Sequence, residues 1–233
     1  MVSASPQLPI VLLACKVFQH LLEEHFPKNS VRSIEFLDYG LHAIPKKLTM
    51  AVQEKIDGIK EASLVVLGYG LCGNGLDGIK AGKHTLLIPR TDDCIAILLG
   101  SYQTYRQKFH ENPATYYLTK GWLESGSNPL DERNAYEAKY GPETADWLMD
   151  EQYRHYKRLV LVAHDQADLE KYRPKALEVA RYCERWGMKY EEILGSEDYV
   201  QRLAEVAQTR DKIDDEFILI PPGGELQQGQ FMR

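Results

Sequence analysis

Short apolar runs with no polar alternation recur along this 233-residue chain, and each is followed by a longer amphipathic segment. Ile10 to Ala14, Ser63 to Leu67, Thr85 to Ile88, Arg158 to Ala163 and Phe217 to Ile220 are the clearest of these runs, with Ser33 to Leu37 and Met188 to Leu194 beside them. A strand that is apolar at both odd and even positions must be covered on both faces. Helical crossovers between parallel strands provide that cover. Helical spacing follows in Val17 to His25, Leu48 to Ile59, Asp93 to about Phe109, Ala167 to Trp186 and Glu197 to Ala207. The pattern predicts an α/β fold, a parallel sheet with helices on both faces.

The middle of the chain departs from this rhythm. Ala114 to Leu118 reads as a strand, Glu124 to Pro129 as a loop, and Asn134 to Tyr156 as a long polar helix interrupted near Gly141-Pro142. Residues 1–225 are therefore expected to form one α/β domain, or two lobes with a boundary near 120–135. The polar residues 226–233 are expected to form a mobile tail.

Charge narrows the choice of partner. Lys and Arg number 28 against 34 Asp and Glu, a net charge of −6 with no basic block, which argues against nucleic acid and anionic membranes. Pro9 to Ala14 is too short to span a bilayer and no cationic leader precedes it, so a soluble cytoplasmic protein is expected. Four cysteines, Cys15, Cys72, Cys94 and Cys183, are too few for a disulfide scaffold of this length. They read as free thiols or metal ligands.

Ligands of open parallel sheets bind beyond the carboxyl ends of the strands. Cys15 follows the first predicted strand, Cys72 the third and Cys94 the fourth, whereas Cys183 falls within a helix. In a common doubly wound order these three strands are neighbours, so the three thiols can converge. Three thiolates suit zinc or an iron–sulfur cluster with one position open to substrate. No C-x-x-C pair supports this, and a buried cysteine is often only a small hydrophobe.

The segment from Gly68 to Gly75 holds Gly68, Gly70, Gly73 and Gly75. It matches neither a Rossmann fingerprint nor a P-loop. Four glycines in eight residues indicate close approach to the backbone, with a short helix expected to follow as far as Ala81. Around it, Tyr39, His42, Tyr69, Asn74, Arg90 and Asp93 are candidates for positioning a substrate or cofactor, with His42, Arg90 and Asp93 as candidate catalytic groups and Tyr39, Tyr69, Gly70, Gly73 and Asn74 as cofactor-binding ones. Asp92 or Asp93 can also simply cap the next helix. His164-Asp165 and the aromatic stretch Thr115 to Trp122 have bland readings as a helix cap and as core.

Three segments together resemble a known family: Gly68 to Gly75, Ile88 to Ile95 with Leu98 to Ser101, and Thr115 to Trp122. They are similar to the domain-of-unknown-function family 1638, and Ala14-Cys15, Tyr39 to His42 and Pro221 to Gly224 fit the same pattern. The resemblance implies methanogenic archaea and anaerobic bacteria, genes near corrinoid-dependent methyltransferases, and hence anaerobic one-carbon or methyl-transfer metabolism. It strengthens the expectation of a joint site at Cys15, Cys72 and Cys94.

The expected function is a metal-dependent enzyme, a transferase or lyase, that activates a small substrate at this site. Zinc would act as a Lewis acid and a cluster through its open iron. The alternative is a non-catalytic binding or accessory protein that handles metal or corrinoid for a methyltransferase system. The Asp-x-His-x-x-Gly segment of corrinoid carriers is absent from the sequence.

Overall fold

A computed structural model describes residues 8–210 and 213–233. Residues 1–7, part of the region read for a leader, lie outside the described residues. In chain order the elements are β1 (Ile10–Cys15), α1 (Gln19–His25), β2 (Ser33–Leu37), α2 (Pro45–Asp57), β3 (Leu64–Gly68), β4 (Thr85–Pro89), α3 (Cys94–Leu98), α4 (Tyr102–Glu111) and β5 (Thr115–Leu118). There follow α5 (Lys120–Ser125), α6 (Pro129–Tyr140), α7 (Pro142–Tyr153), β6 (Arg158–Ala163), α8 (Gln166–Cys183), β7 (Lys189–Leu194), α9 (Asp198–Thr209) and β8 (Phe217–Ile220).

The chain forms two compact α/β units, one of residues 1–97 with 198–233 and one of residues 98–197. The first holds a sheet in the order β2-β1-β3-β4-β8. Its first four strands are parallel, and β8 runs antiparallel to β4, with Leu86 opposite Ile220 and Pro89 opposite Phe217. Successive side chains of a strand point to opposite faces. Leu13, Val65, Leu67, Leu86 and Ile88 accordingly share a core with Leu48, Val52 and Ile56 of α2. Gly68 on the other face lies against Ala14 and Leu22 of α1, so both faces are covered.

The second unit holds the parallel sheet β5-β6-β7. Leu118, Leu159, Leu161 and Ala163 pack there with Leu169, Ala176 and Val179 of α8 and Met149 of α7. Tyr116 of the aromatic stretch stacks edge-on with Tyr153 and Tyr156, which makes that stretch core.

The α/β class and parallel strands are as the apolar runs predict, and the differences are at breaks and boundaries. The unit boundaries fall at 97/98 and 197/198 rather than near 120–135, because the chain returns after β7 to supply α9 and β8 to the first sheet. The helix expected from Asp93 to Phe109 breaks at Gly100, where φ is +87° and Ser101 accepts from the Thr104 N–H to start α4. The helix expected over Asn134 to Tyr156 is two, divided at Gly141 (φ +82°). The stretch before Ala81 is a chain of turns, and α5 runs into the expected loop, taking Glu124 and Ser125.

Residues 226–233 are anchored rather than mobile. Leu226 and Phe231 are buried in the α2-side core, Glu225 bridges to Lys80, and the Arg90 guanidinium donates to the carbonyl of Gln230. Hydropathy averaged over a polar tail conceals two apolar anchors placed five residues apart. Phe231→Ala should lower the stability of the first unit by about 3–5 kcal/mol, the usual result of emptying a buried aromatic site. Chemical denaturation followed by circular dichroism would check this, and an unchanged midpoint would contradict the docking.

Candidate functional site

In the order β2-β1-β3-β4, the chain moves from β1 to one side and then crosses to the other. The reversal between β1 and β3 is where open α/β sheets bind ligands. Ala14 pairs with Gly68 across this junction, so Cys15 and Tyr69 stand one residue beyond the last shared rung. Neighbouring strands lie about 4.8 Å apart. Both residues project to the α2 face, where Tyr69 belongs to the core cluster and Cys15 and Cys72 pack against it.

The glycine-rich turn is stitched to the segment after β4. The Leu71 N–H donates to the Thr91 carbonyl and the Cys72 N–H to that of Asp92, both at 2.9 Å. Gly70 makes this possible: a Cβ there would lie 2.7 Å from the Asp93 carbonyl oxygen. Beyond it, Cys72, Gly73 and Asn74 have φ of +49°, +62° and +71°, three successive left-handed residues. Left-handed backbone costs an ordinary L-residue about 1–2 kcal/mol, less for asparagine. Such strain persists only where surrounding structure enforces it, and it concentrates at functional sites. Here the two backbone bonds and Gly70 enforce it on Cys72.

Cys15 lies close enough to bear on the ionisation of Cys72, and both bear on that of Cys94; none of the three is in a disulfide. Each keeps part of its residue surface accessible. Burial pushes the Cys15 thiol up to about 11, opposed by the Val17 N–H and reinforced by Asp38. Cys72 is raised further by burial, then by Cys15 and Asp93. Cys94 is raised by burial, then by Cys72, Asp93 and Cys15. The charges that act on these sulfurs are therefore one another and carboxylates. This environment opposes thiolates unless a cation arrives with them.

The Tyr69 side chain is almost completely buried, at 3% exposure, and its hydroxyl has no hydrogen-bond partner among the described residues. After burial, Cys15 and Cys72 are the groups that most raise its phenol pKa. Asp93 sits at the start of α3, where its Oδ1 accepts from the Ile95 N–H at 2.8 Å. Burial raises its carboxyl to about 6, against the opposing Ile95 N–H and with Asp92 adding to the rise. Its cap role and its place beside Cys72 and Cys94 coexist.

Arg90 is directed elsewhere. Its guanidinium binds the carbonyls of Gln230 and Met232 and clamps the C-terminal segment, so the catalytic role expected for it has no support in its contacts. Tyr39 and His42 share the 3-10 turn after β2: the His42 Nδ1 meets the Tyr39 carbonyl, and burial holds the imidazole below its ordinary pKa. The ammonium of Lys16 lies 5.5 Å from the centre of the Tyr39 ring. Asn74 is exposed, and its carbonyl accepts from the Asp77 N–H. Asp165 caps α8 through the Asp168 N–H. Cys183 is fully buried in the core of the second unit.

Asp38 was missed as a neighbour of Cys15, although it too follows a strand end. Among the described residues, no three His, Cys, Asp or Glu side chains stand ready-assembled as a metal-ligand group. A cavity of about 510 Å³ in the first unit is lined by Arg32, Glu35, Lys55 and Glu61 among others, not by the cysteines. Its charges are largely paired, Arg32 with Glu61 and Lys55 with Glu35.

A thiol whose pKa rises on folding is held protonated. The stability this contributes is complete below the unfolded value near 9 and is lost as pH rises through about 11 for Cys15. In the metal-free, reduced protein, Cys15 should react with iodoacetamide roughly 100-fold more slowly at pH 8 than an unstructured peptide thiol, and accelerate between pH 9 and 11. Mass-spectrometric alkylation rates would check this. Peptide-like reactivity at pH 8 would contradict the raised pKa. A second check is Gly70→Val, which should lower the thermal midpoint because its side chain meets the Asp93 backbone; an unchanged midpoint would mean that the loop yields freely.

No curated protein and no solved structure matches the chain. The profile of one family, described as a protein of unknown function (DUF1638), matches residues 36–204, a span that includes Cys72 and Cys94 but not Cys15. That match covers well over half of the chain, and the protein belongs to the DUF1638 family.

Proposed function

We propose that the carboxyl edge of the first sheet is a soft-metal site formed by Cys15, Cys72 and Cys94, at which a small substrate binds and is activated. The observation that supports this is the placement of three cysteines at or just past the ends of three adjacent strands, near enough that Cys15 acts on Cys72 and both act on Cys94, with carboxylates as their other charged company. Mutually repelling thiolates are stabilised by a metal ion, and three thiolates with an open fourth position suit zinc or an iron–sulfur cluster. The enforced left-handed turn at Cys72 is consistent with a backbone held for a ligand rather than for packing alone. Because the sulfurs are not ready-assembled, loading would require them to close on the metal and to release their protons.

The metal would supply Lewis acidity or an open iron coordination position. The chain's own residues would hold it, keep Tyr69 over the site, and exclude competing cations through thiolate softness. The family resemblance supports anaerobic methyl-transfer or one-carbon metabolism as the setting, and reduced thiols require a reducing compartment such as the cytoplasm. Among the described residues, no helix is long and apolar enough to cross a membrane. A second reading, metal or corrinoid handling for a partner methyltransferase, is favoured by the partial exposure of all three thiols.

Anaerobic purification followed by elemental analysis and visible spectroscopy tests the proposal. The wild type should carry about one zinc ion or one cluster per chain. Cys15→Ser, Cys72→Ser and Cys94→Ser should each lose most of it, and Cys183→Ser none. Full loading of the triple serine variant, or no loading of the intact reduced protein, would overturn the assignment. Rapid surrender of bound metal to a mild chelator would favour the handling role over catalysis.

A further inference from the structure

Among the described residues the Tyr69 hydroxyl is a buried donor without a partner, and Tyr69 stands just past the β1/β3 junction in the core cluster against which Cys15 and Cys72 pack. A buried hydroxyl left unbonded is destabilising, so a chain that needed only the ring would be more stable with phenylalanine. The two sulfurs nearest in the fold do not satisfy it: neither Cys15 nor Cys72 accepts a hydrogen bond from it, although both bear on its ionisation. The hydroxyl is thus near enough to both sulfurs to feel their charge and yet is bonded to neither.

We infer that Tyr69 is a ligand-binding residue whose O–H donates to an acceptor oxygen of a small, uncharged polar molecule lodged between it and the cysteines. This rests on the reading of the sheet edge as a ligand site, and it names the class of molecule that the edge takes. Two observations select an uncharged ligand. Asp93 and Asp38 act on the thiols, and Glu35 acts on Tyr69, so an anion would meet a field of its own sign. Lys55 pairs with Glu35, and the Arg90 guanidinium is engaged by the C-terminal segment, so neither cation offers itself to an anionic group. A carbonyl, amide or ether oxygen accepts from a phenol without adding charge, and the core cluster that holds Tyr69 also holds Leu13, Leu67 and Leu71, so the surroundings are apolar.

Acetamide and acetate form a matched pair of probes, equal in shape and different in charge. Binding is followed by NMR of protein labelled with 13C-tyrosine, on metal-free and metal-loaded samples, with the Tyr69 signal identified by its loss in Tyr69→Phe. Acetamide should shift the Tyr69 signal, and acetate should do so at least tenfold more weakly. Tyr69→Phe should bind acetamide about tenfold less tightly, measured by the line broadening of the probe. The variant should keep the metal content of the wild type and have an unchanged or higher thermal midpoint, since it sheds an unbonded hydroxyl.

Equal acetamide affinity in wild type and variant would overturn the inference, as would tighter binding of acetate. A lower thermal midpoint in Tyr69→Phe would also overturn it, by showing a structural role for the hydroxyl. If the wild type takes up no metal, the soft-metal proposal fails alone, and the metal-free titration still decides the role of Tyr69.

Discussion

The parallel pairing of β1 with β3 is the constraint on which the rest of the site depends. It sets Ala14 against Gly68 as the last shared rung, and it is tolerated only because residue 68 has no side chain: a Cβ there would lie 2.5 Å from the Ala14 methyl group. With that rung fixed, Cys15 and Tyr69 leave the sheet side by side. The next glycine in the turn, Gly70, lets the chain lie against the Asp93 backbone, which joins the β3 exit to the β4 exit. Two successive close approaches thus bring three strand ends into one neighbourhood, and the thiols arrive there as consequences of backbone packing.

The electrostatics follow from that convergence. Burial opposes the ionisation of all three thiols and of Asp93; Cys15 and Asp93 add to the cost at Cys72, and Cys72, Asp93 and Cys15 to that at Cys94. Left alone, the region holds its protons. A soft cation reverses the balance, because it stabilises the same negative charges that otherwise exclude one another. The left-handed Cys72–Asn74 segment adds backbone strain at the same place, and burial of Tyr69 adds an unbonded donor. Features that each oppose stability are gathered at one edge, whereas the opposite side of the sheet packs α1 conventionally.

Much of the fold was legible because continuous apolar runs report burial on both faces, and Leu12–Leu13, Val65–Val66 and Leu86–Leu87 are such runs in the sheet. The rule that ligands bind beyond strand ends likewise led to Cys15, Cys72, Cys94, Tyr69 and Asp93 before any coordinates. Other features were not legible, for definite reasons. The direction of β8 is set by its neighbour β4 rather than by its own residues. Gly100 and Gly141 end helices through positive φ, which a hydrophobic period does not register. The clamp made by Arg90 is not legible in sequence, because its partners, the carbonyls of Gln230 and Met232, lie some 140 positions away and belong to the backbone. The anchoring of the tail by Phe231 depends on the same long-range contact.

X-ray absorption spectroscopy of the anaerobically metal-loaded protein tests the central claim most directly, because it counts sulfurs around the metal. With zinc as the metal, the account predicts three sulfur neighbours at about 2.3 Å, falling to two in the small fraction of metal that Cys72→Ser retains. A first shell of nitrogen and oxygen alone, or a sulfur count unaltered by loss of Cys72, would contradict it.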